Sequence, residues 1–82
     1  DRYEDAIAFY RRALDDEGDP AMLAEVRLRL AECLAELGRV EEARERLKEF
    51  WPDREAFADG IGDVERIEWA RRKHKEWGLE AR

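Results

Sequence analysis

The chain has 82 residues and a net charge of −6; it is 46% charged and 44% hydrophobic, and it contains no Ser, Thr, Asn or Gln. That composition excludes a serine or threonine nucleophile, a phosphate loop with a hydroxyl on magnesium, and an N-glycosylation sequon. The length allows one domain with a small core, the acidic balance opposes general attraction to nucleic acid, and no apolar run reaches the roughly 18 residues of a membrane span.

Residues 2–16 place Tyr3, Ala6, Ile7, Tyr10, Ala13 and Leu14 at the i, i+3, i+4, i+7 spacing of one helical face. Arg2, Asp5, Arg12 and Asp16 fall opposite. Gly18 is expected to turn the chain out of this helix. Asp19 then caps the next helix and Pro20 opens it.

Residues 20–37 read as the most apolar helix. Leu23, Val26, Leu30, Cys33, Leu34 and Leu37 line one face, and Ala24, Leu28, Ala31 and Ala35 line a second. A helix apolar on two sides lies between neighbours, and its alanines let another backbone come close. Gly38 is expected to end it in a left-handed conformation. Residues 39–51 restart at once, with Val40, Ala43, Leu47, Phe50 and Trp51 on one face. So short a break predicts an antiparallel hairpin.

Residues 53–59 predict a short helix with Ala56 and Phe57 inward. Gly60, Ile61 and Gly62 read as a flexible joint and Asp63 as the next cap. The last helix, 63–77, carries Val64, Ile67, Ala70, His74 and Trp77 along one stripe. Gly78 ends it, and residues 79–82 are expected to fray. No segment alternates with period two, so the expected fold class is all-α. The chain opens on Asp1 inside a helical pattern, which leads us to expect a fragment of a longer protein with these helices as a single domain.

Side chains able to do chemistry are few and isolated. His74 stands among Arg71, Arg72, Lys73 and Lys75, surroundings that oppose metal binding, and reads as a solvated or partly buried helix histidine. Asp15, Asp16, Glu17 and Asp19 lack the order of a calcium loop and read as a solvated turn. Cys33 lies on an apolar face and reads as a buried structural thiol; a lone cysteine fits a reducing, cytoplasmic setting. No carboxylate has a histidine partner. The expectation is no catalysis, no cofactor and no metal.

An internal repeat organises the first part of the chain. Residues 1–14 align on 38–51 at an offset of 37, matching Arg2 to Arg39, Tyr3 to Val40, Glu4 to Glu41, Ala6 to Ala43 and Tyr10 to Leu47. This unit resembles the second helix of a tetratricopeptide repeat, carried by Asp1/Gly38 at the turn, Tyr3/Val40, Ala6/Ala43, Tyr10/Leu47 and the Ala13-Leu14 ending. The helix between is similar to the family's first helix, through Leu30-Ala31, Leu34 and Leu37-Gly38. Three features depart from the pattern. Arg27 replaces the usual Trp, Phe50 replaces a small residue, and the insertion at 15–19 lengthens the period and displaces Pro20.

The resemblance implies antiparallel helical hairpins, about one and a half repeats, with 63–77 as a capping helix. It implies a non-catalytic scaffold that binds a protein or peptide in a groove lined by first helices. The groove residues would be Arg27, Leu28, Ala31 and Ala35, with Ala24 beside them; without Asn, Arg27 and Arg29 would replace the usual amide clamp. Tyr3, Ile7, Phe9, Tyr10 and Leu14 would lack a covering first helix, so self-association into a homo-oligomer is an alternative. A further alternative uses Arg66, Trp69, Arg71, Arg72, Lys73 and Lys75, with Trp77, to bind an acidic protein or, less favourably, nucleic acid. With 63–77 as the capping helix, Trp69, Arg66 and Lys73 would face outward, and Glu65, Glu68 and Glu76 dilute the basic field.

Overall fold

Helix ends fall where the sequence supplies a cap or removes a donor. In the computed structural model, which describes residues 2–80, this produces α1 (Arg2–Asp16), α2 (Pro20–Glu36), α3 (Val40–Phe50), a 3-10 turn (Trp51–Asp53), α4 (Arg54–Gly60) and α5 (Val64–Glu76). No strand occurs among the described residues, and the fold is all-α. Asp1 at the first turn, and Ala81 and Arg82 as fraying residues, lie outside the described residues.

The Asp19 carboxylate accepts the N–H groups of Ala21 at 2.8 Å and Met22 at 3.3 Å, with Pro20 at the first helical position. Asp63 does the same for α5, accepting from the Arg66 N–H at 3.1 Å. At the end of α2 the Arg39 N–H reaches back to the Leu34 carbonyl at 2.9 Å. That wrap needs the left-handed backbone of Gly38, at φ 77°. Gly18 does not act this way. Positive φ is confined, among the described residues, to Gly38, Gly62 and Gly78. Instead the Glu17 carboxylate accepts the Asp19 N–H at 3.0 Å, and the chain runs directly into the Asp19 cap.

Two other junctions differ from expectation. Trp51 belongs to the 3-10 turn and not to α3, because Pro52 has no N–H to continue the α-helical ladder. The segment read as a flexible joint is an ordered turn, with Ile61 and Gly62 both donating to the Phe57 carbonyl at 2.8 and 3.1 Å. Leu79 also departs from expectation: its N–H donates to the His74 carbonyl at 2.9 Å and its side chain packs on the core.

α2 is the element on which the others pack. Its Ala24, Leu28 and Ala31 meet Leu47, Phe50, Phe57 and Ala70 from α3, α4 and α5. Its Leu30 and Leu34, a little under a third of a turn around the helix, meet Ile7 of α1 and Ala43 of α3. Trp77 touches both clusters. Alanines on the first face bring α4 close. A Cβ built on Gly60 would stand 2.7 Å from the Ala21 Cβ, closer than two such carbons approach.

α5 closes the far side. Its His74 is 7% exposed and stacks on Trp51, with ring centroids 3.7 Å apart and planes 12° from parallel. His74 therefore belongs to the packing rather than to solvent. Burial holds its pKa below the ordinary 6.5, against a smaller opposing pull from the Glu80 carboxylate.

Two expected outcomes follow from this packing. Gly60→Ala gains helix propensity but forces α4 off α2, so the net change is destabilising by about 1–2 kcal/mol. Urea unfolding reads it, and a neutral or stabilising result would refute the close approach. Protonation of His74 favours the unfolded chain, because the folded state lowers its pKa. Its contribution is present above pH 6.5 and lost as the pH falls from there through the lowered value. The urea midpoint should therefore fall more between pH 8 and 5.5 in the wild type than in His74→Phe, and equal falls would exclude this role.

Candidate partner-binding groove

α2 buries two faces and leaves a third open. Along it stand Met22, Glu25, Arg29, Glu32 and Glu36, spaced three or four residues apart, with Cys33 beside them, all exposed or half-buried. Tyr3 and Tyr10 of α1 rise on one side, and Arg66 of α5 reaches over from the other. Together with Arg29, Glu32, Cys33 and Glu36 these three enclose a groove of about 280 Å³. Beyond Glu32 and Arg66 it continues into a depression of about 300 Å³ lined also by Asp63, Glu65, Trp69 and Arg72.

Ion pairs set the shape of the groove floor. The Arg66 Nε donates to Glu32 Oε1 at 2.8 Å, and its Nη1 donates to Asp63 Oδ2 at 2.6 Å. One guanidinium thus ties α5 to the middle of α2. Arg29 pairs with Glu25 at 3.4 Å. Glu36 is exposed and has no ion-pair partner among the described residues. Arg29 answers Glu25 and Arg66 answers Glu32, so Glu36 is the carboxylate of this face left without an ion-pair partner among the described residues.

These surroundings move the titrations in opposite directions. Burial raises the Glu32 pKa above the ordinary carboxylate value, although Arg66 pulls it down. Asp63 is lowered by the side-chain and backbone hydrogen bonds from Arg66. Burial, and then the Glu32 carboxylate, raise the Cys33 thiol, so it stays protonated near neutrality. Cys33 is half-buried at the groove wall rather than fully buried, as a purely structural thiol would be. Among the described residues no three His, Cys, Asp or Glu side chains come together as a metal site requires.

Several residues expected to bind stand elsewhere. Leu28 and Ala31 are fully buried against α3, α4 and α5, so no partner can reach them. Ala35 is half-buried against the other cluster, and Arg27 pairs with Asp53 at 3.3 Å. The second apolar stripe of α2 is a packing face, and the groove lies about a third of a turn or more around the helix. Ile7, expected to be uncovered, is 2% exposed beneath Leu30 and Leu34, with Tyr10 and Leu14 packed beside it. Tyr3 and Phe9 remain exposed.

The basic segment is also divided. Arg66 is occupied by Glu32 and Asp63, and Lys73 by Glu76 at 3.3 Å. Trp69 does not face outward; it packs on the core and meets Trp77 edge-on at 6.0 Å. Arg71, Arg72 and Lys75 are exposed towards the C-terminal end of α5, and the exposed Glu65 and Glu68 stand nearer its N-terminal end.

The fold is thus a first helix, then a complete hairpin of α2 and α3 joined by Gly38, then α4 laid against α2. A family model described as tetratricopeptide repeat matches residues 1–56, from the first helix into α4. The chain belongs to the tetratricopeptide repeat family. No curated protein and no solved structure matches it. In this tetratricopeptide chain α1 takes the place of a second helix, and α2 and α3 form the repeat that follows. Among the described residues no helix is long and apolar enough to cross a membrane.

Removing the guanidinium that opposes burial should raise the Glu32 pKa further. Arg66→Met keeps the side-chain bulk and deletes the charge, and carboxyl NMR titration of Glu32 reads the result. An unchanged or lower pKa would show that Arg66 does not hold this carboxylate.

Proposed function

We propose that the chain is a non-catalytic scaffold that binds a short protein segment along the open face of α2. The observation that carries this reading is the groove between Tyr3 and Tyr10 on one wall and Arg66 on the other, floored by Glu32, Cys33 and Glu36. Family membership supports a protein-binding role. The unpaired Glu36 favours a segment with at least one Lys or Arg, and the tyrosine rings and thiol favour an apolar or aromatic neighbour for it. A protonated thiol and the absence of a histidine in the groove suit binding rather than chemistry. A reducing cytoplasm is the setting in which Cys33 would stay free.

Peptide display against the whole chain should return basic and apolar sequences. Those peptides should slow alkylation of Cys33 by iodoacetamide. They should weaken by about tenfold or more with Glu36→Lys, which leaves the fold intact because a cation suits the C-terminal end of α2. Peptides that bind equally to Glu36→Lys and leave Cys33 open to alkylation would overturn the reading.

A further inference from the structure

α1 carries a second surface that shares only Tyr10 with the groove. Phe9 is 66% exposed, the most exposed large hydrophobic side chain among the described residues. Arg2, Asp5, Arg12 and Asp16 share its face, all exposed, and none has an ion-pair partner among the described residues. In chain order the face reads plus, minus, Phe, plus, minus. Reversed, it reads minus, plus, Phe, minus, plus, which is its own complement.

We propose that this face of α1 pairs with the same face of a second copy, antiparallel, across a two-fold axis at Phe9. Positions 2 and 16 are equidistant from 9, so Arg2 of each copy meets Asp16 of the other. Positions 5 and 12 are nearly so, which sets Asp5 against Arg12. A parallel pair would set like charges side by side. Each Phe9 ring enters the hole formed by Ala6, Phe9, Tyr10 and Ala13, at the i, i+3, i+4, i+7 spacing that receives a knob. The two alanines leave room beside the existing ring, and a depression of about 300 Å³ already opens between Phe9 and Glu17.

The helix dipole supports the same orientation. α1 has no basic residue in its last turn, although Asp15 and Asp16 stand there. Two carboxylates at a C-terminal end are unfavourable within one copy. Antiparallel pairing brings the other copy's N-terminal end and Arg2 beside them. The interface is isologous, so one patch serves both copies. It is also small, which predicts a weak, concentration-dependent dimer.

Sedimentation equilibrium of the 82-residue chain, from micromolar to millimolar concentration, tests this. A monomer–dimer equilibrium is expected, lost in Phe9→Glu with helix content unchanged by circular dichroism. Asp5→Arg and Arg12→Asp should each raise the dimer Kd about tenfold, since the axis counts every substitution twice. The combined Asp5→Arg/Arg12→Asp variant restores the complement and should return close to the wild-type Kd. A chain that stays monomeric throughout, or a dimer indifferent to the single reversals, would overturn the proposal. Phe9 meets Tyr10 of the groove wall edge-on at 5.6 Å, so independence from peptide binding is read from Asp5→Arg and Arg12→Asp, which touch no groove residue.

Discussion

Everything in this fold depends on α2 being buried from two sides at once. Leu30 and Leu34 face α1 and α3, while Ala24, Leu28 and Ala31 face α3, α4 and α5. The two faces are not equivalent. Large side chains on the first hold α1 at ordinary interhelical distance. Small ones on the second draw α4 in until Gly60 lies against Ala21. That asymmetry lets a helix as short as Arg54–Gly60 contribute to the core at all, because Phe57 reaches the same cluster as Phe50 and their rings meet edge-on at 5.6 Å.

Much of this was legible in the residues, for reasons that are local. Asp19 and Asp63 sit where a cap must, Gly38 sits where only a left-handed residue closes the turn, and the 3.6-residue apolar spacing of α1 and α3 names their inward faces. The open face of α2 was harder to see. Its alanine stripe is equally consistent with a partner surface and with a neighbour that packs closely, and only the position of α4 decides. The polar stripe through Glu25, Arg29, Glu32 and Glu36 was present in the sequence, but charges on a helix ordinarily read as solvated. What marks these as a groove is Arg66, 34 positions away from Glu32, and contacts that distant leave no periodic trace. The same blindness made Arg66 and Lys73 look free.

The missing Ser, Thr, Asn and Gln shape the groove as much as its geometry does. Polar contact there is left to carboxylates, guanidinium groups, tyrosine hydroxyls and backbone. Such a surface discriminates by charge and by ring contact rather than by the directional amide hydrogen bonds that clamp a backbone. Glu32 shows the cost. It is held partly out of water with its pKa raised even beside Arg66, so a cation delivered by a partner would relieve a penalty the free chain already carries.

α1 divides its charges by direction in the same way. On the side turned to α3, Arg11 meets Glu42 at 3.2 Å and Glu4 meets Arg39 at 3.5 Å, so that side is electrostatically complete within one chain. On the far side Arg2, Asp5, Arg12 and Asp16 are equally mixed in sign, yet none finds an ion-pair partner among the described residues. Mixed charges scattered only for solubility would carry no order about a central residue. Here they are ordered about Phe9, the most exposed large hydrophobic side chain among the described residues. A solvated helix face has no use for that coincidence, and a face that meets its own copy requires it.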